Sequence, residues 1–174
     1  MIGFDLYCRL LKQEIAKMQN REEIIITLPE TGMDFVSFGL NAPKGMIAAS
    51  LPDTYIENDQ LRISAYRQLG DIQDLEQLKE FSEQLEDIFG KLPDEAVNLL
   101  EVTKLRIILS RADCRKLVVA NNQISLFRKD GTVYRNQGVL PRLDPRDTPL
   151  MRLKQLQFLA ETVAKQDNLK KVQR

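Results

Sequence analysis

Residues 59–109 constrain this chain more than any other stretch, because they read as three consecutive helices joined by short, chemically marked breaks. The first carries Leu61, Tyr66 and Leu69 at helical spacing. Gly70 and Asp71 end it on this reading: glycine accepts the left-handed conformation that closes a helix, and aspartate caps the next one. The second places Leu75, Leu78, Phe81, Leu85, Ile88 and Phe89 at steps of three and four, which makes one side an apolar stripe. Gly90 stops it. Pro93 then opens a third helix, 93–110, with Asp94 and Glu95 at the positive end of its dipole. That helix is apolar nearly all round, from Ala96 through Leu99 and Leu105 to Leu109. A helix of this kind is buried by several neighbours, so 93–110 is the expected core.

The remaining chain sorts around this centre. A helix over 4–18 carries Phe4, Leu6, Tyr7, Leu10, Leu11, Ile15 and Met18 on its apolar face. A well-patterned helix that begins almost at residue 4 reads as part of something longer. Ile24 to Leu28 is a β-branched run ended by Pro29, a short strand. Breakers crowd residues 29–58, which read as loops with one or two short strands, a hairpin among them, and with 51–56 extended. Arg115 to Ala120 and Gln123 to Phe127 flank Asn121-Asn122, the composition of a two-residue hairpin turn. Lys129-Asp130-Gly131 is a second turn, with Thr132 to Tyr134 a possible third strand. Thr148-Pro149 starts a last helix with Leu150 (or Met151), Leu153, Leu156, Leu159, Ala160 and Val163 inward. The expected architecture is α+β: about five helices around the buried central helix, with a small antiparallel hairpin sheet. Residues 1–166 are expected to form one domain, with 167–174 a basic, frayed tail.

Charge is balanced overall and uneven locally. Lysine and arginine total 25, as do aspartate and glutamate. Residues 71–95 hold nine acidic residues and two lysines, a net of −7, whereas 102–135 hold eight basic and two acidic residues, a net of +6. Such runs usually only solubilise a surface; the sharper reading is a bipolar docking surface. The two cysteines, Cys8 and Cys114, lack disulfide or zinc spacing and point to a reducing cytoplasm. Apolar runs stay short of a membrane span.

Chemistry is harder to find. The chain has no histidine, which removes the commonest general base and metal ligand. No glycine-rich phosphate loop occurs. Asp144 and Asp147 stand beside Arg142 and Arg146, a pattern of local ion pairing rather than catalysis. No catalytic set, metal site, cofactor or small-molecule ligand is expected. A nucleic-acid surface could draw on Lys104, Arg111, Arg115 and Lys116, although few aromatic residues accompany them for stacking. The outer side of the second helix, with Glu76, Glu80, Glu83 and Asp87 in one acidic row, is the stronger contact candidate.

Three ordered blocks also carry a family resemblance. Gly3-Phe4-Asp5-Leu6-Tyr7 with Arg9-Leu10-Leu11 opens the chain. Leu51-Pro52, Tyr55-Ile56, Asp59-Gln60-Leu61-Arg62 and Tyr66-Arg67 follow, then Leu85-Glu86-Asp87-Ile88-Phe89-Gly90-Lys91-Leu92-Pro93 and Leu99-Leu100. Together they resemble the C-terminal domain of the bacterial transcription-repair coupling factor, Mfd, over residues 3 to about 110. The resemblance implies a non-catalytic domain behind an ATP-dependent double-stranded-DNA translocase that removes stalled RNA polymerase and recruits UvrA. The implied intramolecular partner is the UvrA-recruiting module, masked by this domain in the resting protein. Contact residues on that view are Glu80, Glu83, Gln84, Asp87 and Ile88. Two of them depart from the family pattern: Gln84 stands where the family has glutamate, and Ile88 where it has arginine. The 29–50 connection is also longer than the family's.

Overall fold

The computed structural model describes residues 28–39 and 41–172. The expected helix over 4–18, the 24–28 strand up to residue 27, Cys8 and the Leu40 end of the Phe35 segment lie outside these residues. The described elements run β1 (Glu30–Met33), β2 (Val36–Ser37), β3 (Ile47–Ala48), α1 (Asp59–Asp71), α2 (Leu75–Phe89), α3 (Asp94–Arg111), β4 (Cys114–Ala120), β5 (Gln123–Arg128) and α4 (Pro149–Val172). The class is α+β, with four of the five expected helices among the described residues.

Helix α3 is the centre, as its sequence requires. Ala96, Leu99, Val102, Leu105, Ile107 and Leu109 are fully shielded from solvent. Helix α4 packs along α3, with Leu153, Leu156, Ala160 and Val163 buried, and α2 closes another side through Leu78, Phe81 and Leu85. The amide of buried Gln157 donates to the Glu101 backbone carbonyl at 3.0 Å and to its carboxylate at 2.7 Å, tying α4 to α3.

The hairpin forms where expected. Asn121 and Asn122 have φ of 50° and 62°, the left-handed pair that a tight turn between twisted strands demands. Strand β5 pairs antiparallel with β4, with a bulge between Cys114 and Lys116. The sheet is not purely antiparallel, however. Strand β1 joins the other edge of β4 in parallel, in the order β1-β4-β5. Thr31 and Met33 point inward along β1, while Glu30 and Gly32 face out. Strands β2 and β3 pair parallel as a second small sheet, so residues 29–58 contain three short strands and no hairpin between β2 and β3. Val133 makes a single bridge to Phe127 in place of a third hairpin strand.

Several boundaries differ from the sequence reading for local reasons. Gly70 stays helical, and α1 ends at Ile72, which adopts an extended conformation. Asp74, not Asp71, caps α2: its carboxylate accepts from the Gln77 amide at 2.9 Å. Residues after Pro52 turn instead of extending, with the Tyr55 and Ile56 amides both donating to the Pro52 carbonyl at 3.1 Å. Proline restrains the residue before it, not those after. Thr148 caps α4 as expected, its hydroxyl accepting from the Met151 amide at 3.3 Å. Helix α4 then continues through the stretch read as a polar tail. Asp167 within it is buried and pairs with Arg128 of β5 at 2.5 Å.

Candidate docking surface

Helix α2 is fixed at both ends, which is what makes its outer face a defined surface. Asp74 caps the start. At the far end Gly90 takes φ +86°, a conformation that only glycine adopts without strain, and its amide donates to the Glu86 carbonyl at 2.9 Å. The Tyr55 hydroxyl donates to the last carbonyls, 3.0 Å from Leu85 and 2.9 Å from Gly90, and its ring packs edge-on against Phe89. Tyr55 is itself placed by the turn at Pro52. The Leu51 amide beside that turn donates to the Tyr66 hydroxyl of α1 at 2.7 Å. Arg62 closes the arrangement: it donates to the Ile56 carbonyl at 2.8 Å and pairs with Asp59 at 2.5 Å. The residues of the 51–67 block therefore form a bracket that holds α2. They are scaffold, and the face they hold out is the candidate site.

That face is acidic. Glu76, Glu80, Glu83 and Asp87 are all exposed, on steps of four, three and four, and so form one row along the helix. Lys79 comes within 3.8 Å of Glu83, an exposed contact that leaves both groups hydrated. Gln84 is exposed and accepts from the Gln68 side chain of α1 at 3.2 Å. Ile88, counted on the inward stripe by spacing, is 70 % exposed instead. The stripe closes through Leu85 and half-buried Phe89, and Ile88 stands at the edge of the acidic row. The structure thus brings Glu80, Glu83, Gln84, Asp87 and Ile88 to one solvent face.

The basic residues do not gather in the same way. Lys104 lines an open groove of about 480 Å³ between α2 and α3, together with Glu83 and Glu101. Arg111 is exposed at the end of α3. Arg115 and Lys116 are both exposed on β4, because the bulge turns two successive side chains outward. Lys116 lies 3.7 Å from Glu30. Other cations of the segment serve the fold: Arg128 holds Asp167, and Arg106 donates to the Pro29 carbonyl at 3.1 Å. The Asp144 carboxylate receives two bonds from the Arg146 guanidinium and one from its amide, which hold it below the usual carboxylate range. Asp147 accepts from Gln155. Cys114 is fully buried, and burial pushes its thiol up to about 11. Among the described residues no cluster of His, Cys, Asp or Glu is placed to hold a metal ion. No helix among them is long and apolar enough to cross a membrane.

Fold and site together define an α+β domain built on a buried helix and presenting an acidic helical face. The model of the TRCF domain family matches residues 46–137, more than half of the chain. The chain belongs to that family. Among its relatives is the transcription-repair-coupling factor of Rickettsia prowazekii (strain Madrid E), 28 % identical over 120 residues, covering 69 % of this chain and 9 % of that protein. That of Haemophilus influenzae is 28 % identical over 153 residues, covering 79 % and 13 %. That of Staphylococcus haemolyticus is 32 % identical over 106 residues, covering 61 % and 8 %. The crystal structure of the C-terminal domain of a transcription-repair coupling factor superposes with a TM-score of 0.62 at 21 % identity, covering 80 % of this chain and 94 % of that one. The chain spans about a tenth of the length of the relatives it matches.

Proposed function

We propose that this chain is the regulatory docking domain of a transcription-repair coupling factor. It has no catalytic activity of its own. The parent is an ATP-dependent DNA translocase of the bacterial cytoplasm that displaces stalled RNA polymerase and brings UvrA to the lesion. In the resting parent, the α2 face lies on the UvrA-recruiting module and masks it.

One observation carries this reading: the row Glu76, Glu80, Glu83 and Asp87 stands in solvent on a helix braced at both ends. Like charges three and four residues apart each cost a few tenths of a kcal/mol in an isolated helix. A basic partner relieves that repulsion and gains long-range attraction. With Gln84 in place of the family's glutamate and Ile88 in place of its arginine, this face has lost one charge of each sign, and exposed Ile88 offers an apolar contact instead.

The test uses the parent protein. Reversing Glu83 and Asp87 to lysine is expected to raise UvrA capture in the absence of ATP and DNA, because the masked module is freed. Unchanged capture would mean that α2 does not cover the recruiting surface.

A further inference from the structure

The last turns of α4 are attached to the domain at one point. Up to Val163 the helix is buried on α3 at regular intervals, and Ala164 still packs against the core. Past it, Lys165, Gln166, Asn168, Leu169, Lys170 and Val172 are exposed, and Asp167 is the one buried side chain among the described residues. Asp167 reaches β5, where its carboxylate accepts from Arg128 at 2.5 Å with both side chains largely out of solvent. Arg128 stands directly across from Cys114 in the β4–β5 register, so the two side chains share one face of the hairpin. Cys114 is fully buried on that face, and the Arg128 guanidinium also lies over the Tyr134 ring, 5.8 Å from its centre. The end of α4 therefore crosses the base of the hairpin and is held there by a single ion pair.

We propose that α4 beyond Ala164 is a strap with a closed and an open position, and that it opens off the hairpin while the rest of the domain stays folded. Closed, it seats Asp167 on Arg128 and shields Cys114. Open, it uncovers the thiol and leaves the guanidinium to water and the Tyr134 ring. Burying two charges costs much of what their attraction returns. Opening rehydrates both together, so it forfeits little net energy and strands no charge in the interior. Among the described residues the core has no apolar member past Ala164, so opening also exposes little hydrophobic surface. Unfolding the whole domain, in contrast, exposes everything packed around α3. A segment with so few buried contacts opens well below the free energy of global unfolding. The strap uses no residue of the α2 face and stands or falls separately from the docking proposal.

Thiol modification of the full 174-residue chain tests this, in a Cys8→Ser background that leaves Cys114 as the sole cysteine. Ellman's reagent is used at concentrations where the rate is proportional to reagent, in urea kept below the unfolding transition. The Cys114 rate is expected to be flat at low urea, because the open strap exposes little surface, and to rise with the full unfolding m-value only near the transition. The flat rate should exceed, by at least tenfold, the rate that global unfolding alone allows at zero urea. Asp167→Asn keeps the shape of the side chain and removes its charge. It should raise the flat rate at least tenfold, with circular dichroism still showing a cooperatively folded domain. A parent rate that follows the full m-value down to zero urea overturns the proposal, because Cys114 is then reached only by unfolding the whole domain. That series decides the matter even if the Asp167→Asn chain does not fold. A flat rate that Asp167→Asn leaves unchanged also overturns it, because the opening that uncovers Cys114 is then not the strap's.

Discussion

Leu99 and Leu105 touch no solvent, so what they fill is shared with every neighbouring element. Truncating either to alanine removes apolar contact and leaves a cavity inside a close-packed interior; the cost is expected at about 2–5 kcal/mol. A urea titration at fixed m-value measures it, and a loss below about 1 kcal/mol would show that α3 is not the core. Cys114 gives a different kind of residue-scale prediction. Its thiol is raised from the ordinary 9.0 to about 11, chiefly by burial, with Asp167 and Asp113 adding to the rise and Arg128 opposing it. The unfolded chain therefore releases this proton first as pH increases. The thiol's contribution to stability is complete below about pH 9 and is lost between about 9 and 11. Thermal melts across that range should show a steeper decline for the wild type than for Cys114→Ala. Parallel declines would mean that the thiol is not desolvated. Residue identity was legible in the sequence where chemistry is local. Asn121 and Asn122 announce their turn, Gly90 its helix end, and Asp144 its arginine. The Arg128–Asp167 pair was not, because 39 residues separate two groups that only the fold brings together.

At the scale of elements, α2 depends on a bracket outside itself. The Tyr55 hydroxyl donates to the Leu85 carbonyl near the end of the helix and to the Gly90 carbonyl just beyond it. Tyr55→Phe keeps the ring against Phe89 and removes only that bond, so a stability loss of about 1 kcal/mol is expected. Hydrogen exchange should rise first in the amides around 86–90, since the last turn is then the easiest part to open. Uniform exchange across α2 would contradict this role for Tyr55. Helix periodicity was readable because each helix buries one side, and α3 because it buries nearly all of them. Short strands were not. Strand β1 has four residues with a glycine among them, and its place is set by the β4 edge, not by its own pattern. Spacing alone also misplaced Ile88. It lies one step past the buried stripe, and sequence cannot say where a neighbouring helix stops covering a surface.

For the whole molecule, charge is arranged in two unlike ways. Four of the nine acidic residues of 71–95 line one exposed helix face, whereas the cations of 104–135 are divided among a groove, a strand edge and ion pairs that maintain the fold. Helix periodicity showed the acidic row in the sequence, whereas net segment charge could not show that the basic residues disperse. The 51–67 block illustrates the same limit from the other side. Its residues signal the family, yet in the folded domain they position the face and take no direct place on it. What tests the account most directly is the affinity of this domain for the UvrA-recruiting module proposed as its partner, measured for wild type and for Glu83→Lys with Asp87→Lys. We expect the double reversal to weaken binding at least tenfold, about 1.4 kcal/mol, and added salt to weaken the wild type towards it. Equal affinities for the two proteins at low salt would contradict the assignment of α2 as the docking face.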